Sequence, residues 1–141
     1  MVESGVPHSA DVTEKFDAMK LRKEFKFLIC KIENEAEIIC EHAGGPDATY
    51  EECRSLLPPD EPRFVVFDYD LKIENENPPR VEQKLTFIHW VPETSKPRNK
   101  MASSSSKEPF KRALVGVQKD LQATDPSEIE QSFVEENLRR K

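Results

Sequence analysis

Six basic side chains, Lys96, Arg98, Lys100, Lys107, Lys111 and Arg112, fall in a short stretch that holds a single acid, Glu108. Outside that stretch the chain carries fifteen Lys and Arg against twenty-six Asp and Glu, so a compact cationic cluster sits inside an acidic envelope, and the whole chain has a net charge of −6. A uniformly acidic surface serves solubility, whereas such a cluster orients a molecule toward an anionic partner. Met101 lies among the cations and offers a soft apolar contact suited to a groove with an apolar floor and an acidic rim. The chemistry is docking: cations speed and orient encounter, and a desolvated methionine contact holds the complex. Salt is expected to weaken it.

The other reactive residue types do not assemble into a reaction centre. His42 with Cys40 or Cys53 could be imagined as a base and a thiol nucleophile, yet neither pair has an orienting acid or a local signature, so no catalytic residue is assigned. Cys30, Cys40 and Cys53 are odd in number, lack a Cys-x-x-Cys spacing and sit in apolar segments. They read as buried free thiols in a reducing compartment, with no disulfide, metal or cofactor expected. The serines at 103–106 before Lys107 follow no glycine-rich turn and so form no phosphate loop. His89, beside Trp90, reads as a satisfied or strand-edge histidine rather than a pH sensor. Nucleic acid is a poor partner for a chain of this net charge with no aromatics interleaved among its cations.

The elements that must position the cluster follow from periodicity and punctuation. With 141 residues and 36% apolar content, the chain suits one domain with a real core. No apolar run reaches the length of a membrane span, and the first residues lack the order of a signal peptide, which predicts a cytoplasmic protein. Residues 1–8 form a flexible arm, and the domain runs over 9–140. Ser9 or Asp11 caps a helix with Val12, Phe16 and Met19 on one face. Residues 25–32 and 37–41 form a hairpin turned at Asn34 and Glu35, and the unbroken run Leu28, Ile29, Cys30 implies cover on both sheet faces. Thr49 and Glu52 make a capping box for a helix burying Cys53, Leu56 and Leu57. Residues 64–67 form a strand, a charged loop spans 72–83, and a strand at 85–91 is halted by Pro92.

The basic helix follows. The serines at 103–106 are good cap acceptors, and Phe110, Ala113, Leu114 and Val117 recur at helical spacing. Pro109 then places the helix start late, with Ser106 as cap, and Gly116 supplies the stop. Residues 117–123 read as a short strand. Asp125, Pro126 and Glu128 signal a last helix that buries Ile129, Phe133 and Leu138. The order predicts an α/β domain with a mixed five- to six-stranded sheet sandwiched between helices.

This order, together with Lys31-Ile32-Glu33-Asn34, Arg63-Phe64-Val65-Val66-Phe67-Asp68-Tyr69, Phe87-Ile88 with Trp90 and Pro92, Lys100-Met101, Ser105-Ser106-Lys107 and Leu114-Val115-Gly116, resembles the actin-depolymerising factor/cofilin family over essentially the whole domain. The resemblance implies the actin-depolymerising-factor-homology fold and a non-enzymatic, monomeric protein of the cytoplasmic actin cytoskeleton. Such a protein binds actin monomers, with the ADP form preferred, and severs and depolymerises filaments. It implies a monomer-binding surface of Ser4, Gly5, Arg98, Lys100, Met101, Lys107, Lys111 and Arg112, and a filament surface of Lys84, Glu135 and Arg139. Phosphorylation at Ser4 and phosphoinositide binding in competition with actin are further implications. Glu82 and Glu136 stand where basic residues occur in some members, and Ser103 and Pro109 where an aromatic and a small residue are usual. Within the same fold the alternative is a glia-maturation-factor-like or coactosin-like module that binds the branch-nucleating complex or filament sides without severing.

Overall fold

The computed structural model describes residues 6–140. Its elements are α1 (Ala10–Arg22), β1 (Phe27–Glu33), β2 (Glu37–Gly44), α2 (Tyr50–Ser55), β3 (Arg63–Ile73), β4 (Arg80–Trp90), α3 (Pro97–Ala113), β5 (Lys119–Ala123), a 3-10 turn (Pro126–Ile129) and α4 (Gln131–Arg139). One sheet of order β2-β1-β3-β4-β5 is antiparallel throughout except for the parallel pairing of β4 with β5. The mixed sheet between helices is as expected, with five strands.

Strand alternation divides the core between two layers. Leu28, Cys30, Phe64, Val66, Leu85 and Phe87 face Val12, Phe16 and Met19 of α1 and Phe110 of α3. Phe27, Ile29, Val65, Phe67, Ile88 and Trp90 face the side of α2 and α4, where Tyr50, Cys53, Val134 and Leu138 close the layer. The run at Leu28 is therefore apolar on consecutive residues because helices cover both of its faces. Asn34 and Glu35 adopt φ of 53° and 57°, the left-handed pair that a tight hairpin turn demands, and the Ala36 N–H closes it on the Glu33 carbonyl at 3.0 Å. Thr49 accepts from the Glu52 N–H at 3.2 Å, as its cap position requires.

Three expectations about strand bounds and burial are corrected. The charged loop at 72–83 shrinks to 74–79, because β3 and β4 continue as a paired ribbon from Leu71↔Glu82 to Ile73↔Arg80. Charged residues alternate there because the ribbon runs toward solvent. Leu56 is exposed rather than buried, since α2 ends at Ser55. In the last helix Phe133 is 41% exposed while Val134 takes its place in the core. Glu130 adopts an extended φ/ψ between the 3-10 turn and α4, which resets the helical phase.

The largest difference concerns α3. It begins at Pro97, with Lys96 at the cap position, and Pro109 lies inside it. The serines at 103–106 are helix residues, not caps: Ser103 donates to the Lys100 carbonyl, and Ser105 and Ser106 donate to that of Ala102. Proline at the first helical position forfeits no bond, and this start signal outweighs the serines. Pro109 removes the donor that the Ser105 carbonyl would otherwise use. Pro109→Ala is therefore expected to raise the unfolding free energy by about 1–2 kcal/mol, less than the full helix-interior cost because proline also restricts the unfolded chain. Urea titration measures it, and an unchanged midpoint would refute the strain.

Candidate functional site

α3 gathers every residue of the cationic cluster onto one rod that Phe110 pins to the sheet. No acid occupies its first turn, so the positive end of the helix dipole adds to Arg98 and Lys100. Arg98 is 79% exposed and reaches Glu35 of the β1–β2 turn at 3.4 Å. Met101 is 73% exposed, the most exposed large apolar side chain among the described residues, and stands free beside Arg98 and Lys100. An unburied methionine between cations is what a docking contact requires and what a solvated helix face does not.

Lys107 and Lys111 are placed differently. Both reach Asp120 on β5, at 3.5 and 2.8 Å, and Lys111 also lies 3.6 Å from Glu108. Asp120 holds the Lys111 ammonium above its ordinary range. These two lysines thus lace α3 to β5, while Lys96, Lys100 and Arg112 have no ion-pair partner among the described residues. Nothing in the spacing along the helix could reveal Asp120, which arrives through the parallel crossover.

The support beneath the helix is polar. His89 on β4 is 1% exposed, and its Nε2 lies 3.0 Å from Ser103 Oγ. Because Ser103 donates its only proton to the Lys100 carbonyl, Nε2–H donates to Ser103, and the buried Nδ1 has no partner. Burial, reinforced by Lys107, pushes the imidazole down to about 4. A cavity of about 90 Å³ beside Ser103, lined also by Arg63, Phe64, Asn99 and Ala102, lies under the first turns of α3.

The N-terminal residues meet the same helix. The Val6 N–H donates to Ser106 Oγ at 3.0 Å, and the His8 ring lies 5.8 Å from that of Phe110. Pro7 and Ser9 bond to the backbone of Ile38 on β2. The arm expected over 1–8 is thus held along β2 from Val6 to His8; Ser4 and Gly5 lie outside the described residues.

Lys84 and Arg139 converge elsewhere, on an open groove between the β3–β4 ribbon and α4 that Lys72, Lys119 and Arg140 also line. Arg139 donates to the Lys72 carbonyl at 3.2 Å and Lys119 to that of Arg140 at 2.6 Å, so the groove wall is braced by its own cations. Lys72, Lys119 and Arg140 were not anticipated, because they come together only through the ribbon and the last helix. Glu135 sits one turn back beside Tyr69, whose phenol is pushed up to about 12 by burial and further by that carboxylate. Glu82 lies 3.3 Å from Lys84 and 2.7 Å from Arg80, and Glu136 pairs with Arg140 at 3.2 Å. Both acids therefore mask cations of this surface.

No thiol is activated by His42: Cys40 bonds to its backbone carbonyl at 3.3 Å, and burial pushes the Cys53 thiol up. Among the described residues no group of three or more His, Cys, Asp and Glu is placed to hold a metal, and no helix is long and apolar enough to cross a membrane.

A five-stranded mixed sheet, helix-covered on both faces and carrying a cationic rod with an exposed methionine, defines the cofilin-like class of α/β domains. Comparison with known proteins agrees: a family profile described as cofilin/tropomyosin-type actin-binding protein matches residues 5–139. The chain is 36% identical to actophorin of Acanthamoeba castellanii over 138 residues, which is 97% of each chain. Its fold is similar to that of Streptomyces griseoflavus cofilin, with a TM-score of 0.83 at 33% identity over 94% of this chain and 98% of that one. Plasmodium berghei actin depolymerization factor 2 gives 0.87 at 28% identity over 99% and 100%. The chain belongs to the cofilin/tropomyosin-type actin-binding protein family.

Proposed function

We propose that this chain binds actin monomers, with the ADP form preferred, and actin filaments, and that it severs and depolymerises filaments in the cytoplasm as a non-enzymatic monomer. The observation that carries the reading is Met101, presented to solvent between Arg98 and Lys100 on a helix anchored by Phe110. Arg98, Lys100, Met101 and Arg112 form the monomer contact, with Ser4 and Gly5 joining from the arm. Lys107 and Lys111 contribute as the lacing that holds α3 in place and as part of its positive field. Lys84, Glu135 and Arg139 form the filament contact. The same cations would accept phosphoinositide headgroups in competition with actin.

Co-sedimentation with filaments, run beside native gels of ADP- and ATP-bound monomers and imaging of filament lengths, tests the reading. Binding to both forms of actin with shortened filaments supports it, and absence of binding to either form overturns it. The masking of Lys84 and Arg140 by Glu82 and Glu136 favours a second reading, a filament-side binder without severing. Filaments that retain bound protein and their full length would select that reading.

Because Val6 hydrogen-bonds to Ser106, the arm enters beside α3. A phosphate on Ser4 would bring roughly −1.5 to −2 charges next to the docking face. Ser4→Glu is expected to weaken monomer binding about tenfold in native-gel titration. Equal affinity for the variant and the wild type would remove the switch.

A further inference from the structure

We propose that Cys30 and Cys40 form a modification site, at which a hydroperoxide converts the two thiols to an intramolecular cross-strand disulfide beneath α1. The two residues are directly opposed in the β1–β2 ladder. Both side chains belong to the core layer under α1, Cys30 within it and Cys40 packed against its edge. Opposed residues of an antiparallel pair lie roughly 4.5–5.5 Å apart at Cα, inside the span of roughly 4.4–6.8 Å that a disulfide bridges. The register shifts between Ile29 and Cys30, so the ladder is already irregular at this point and can adjust to a new bond.

The two thiols are unequal in a way that sets the order of events. Cys40 is only partly buried and Cys30 has no exposure, so a small oxidant meets Cys40 first. The Cys30 thiol beside it, and more weakly Lys15 of α1, hold Cys40 below the ordinary thiol range against the opposing effect of burial. Contact with Cys40 and complete burial push Cys30 up. The Cys40 thiolate attacks one peroxide oxygen, the O–O bond breaks, and the departing hydroxide takes a proton and leaves as water. Cys40 is then a sulfenic acid, oxidised by two electrons that the peroxide has gained. The Cys30 sulfur attacks the Cys40 sulfur, its proton joins the leaving hydroxyl, and a second water departs as the S–S bond closes.

The bond would fix the β1–β2 hairpin two residues from Ile38, whose backbone bonds to Pro7 and Ser9. Oxidation would thus stiffen the ledge on which the N-terminal residues rest, whatever partner α3 meets. Cys53, on α2, belongs to the other core layer and serves as an internal reference.

Reduced full-length protein is treated with one to a few equivalents of hydrogen peroxide, then unfolded, alkylated and mapped by mass spectrometry. The expected result is a linked peptide pair joining Cys30 to Cys40, with Cys53 alkylated as in untreated protein and the link undone by dithiothreitol. In Cys30→Ser, Cys40 is expected to accumulate as a sulfenic acid that dimedone traps, at least tenfold faster than any reaction at Cys53. Three free thiols after treatment, a disulfide between two molecules, or oxidation of Cys40 to the sulfinic acid without a link in the wild-type protein would each overturn the proposal. The wild-type measurement stands even if the variant does not fold.

Discussion

On the proposed reading, replacing Met101 by Asp and Lys100 by Glu together is expected to lower affinity for actin monomers at least a hundredfold, about 3 kcal/mol, with little change in folding stability. Met101 is exposed and the half-buried Lys100 has no ion-pair partner among the described residues, so neither change breaks a charge contact within the domain. An exposed substitution of this kind costs about 0.5 kcal/mol or less in stability. In the complex, however, each variant carboxylate would be desolvated against an acidic rim. The pair Lys107→Glu and Lys111→Glu is a poorer probe, because it would set two carboxylates against Asp120 and loosen α3 from β5. Monomer affinity by fluorescence titration and stability by urea titration decide the matter. Undiminished affinity in the Lys100 and Met101 variant would refute the docking role of the helix start.

Stability is expected to fall by about 3 kcal/mol as pH is lowered from roughly 6.5 to 4, through His89 alone. In the folded protein its imidazole resists protonation down to about 4, because it is buried and Lys107 is near, with Asp120 opposing. The unfolded chain takes up the proton at an ordinary value near 6.5. Between those limits the unfolded state binds more protons, so stability increases with pH and is fully present above the upper one. His89→Leu removes the titration and the orphaned Nδ1 together. The difference in urea-derived stability between wild type and variant should therefore grow as pH falls across the window, while other groups cancel. A pH-independent difference would show that the imidazole titrates normally in the fold. His89 is thus a satisfied histidine on one nitrogen only, through Ser103.

Most of the sheet was legible because its signals are local. The left-handed turn at Asn34 and Glu35, the Thr49 cap and the doubly covered run at Leu28 each rest on a few adjacent residues. The start of α3 was not, since Pro97 and the serines at 103–106 are competing start signals, and the contacts of Ser103 with β4 and of Ser106 with the N-terminal residues add to the proline in favouring the first. Phe133 misled for a related reason: the phase break at Glu130 depends on backbone angles that apolar spacing does not encode. In the candidate site, Met101 and its neighbouring cations stood out from composition alone, since the late helix start expected at Ser106 left them in the loop before α3. Asp120, Lys72 and Lys119 could not, because the parallel crossover brings Asp120 and Lys119 to α3 and the groove, and the extended ribbon brings Lys72.

β4 carries Lys84 at its middle and runs without interruption to Trp90, from which residues 91–96 lead into α3. That distance is about 20 Å of paired backbone at roughly 3.3 Å per residue. It is paired with β3 throughout and also with β5 from Thr86 on, so it cannot lengthen without breaking ladder bonds. On the proposed reading, the helix grips one subunit of a filament and the ribbon its neighbour, joined by an inextensible strut. Two subunits so clasped must take the separation the strut dictates, and any mismatch with their native stacking becomes mechanical load on the filament rather than on the clasp.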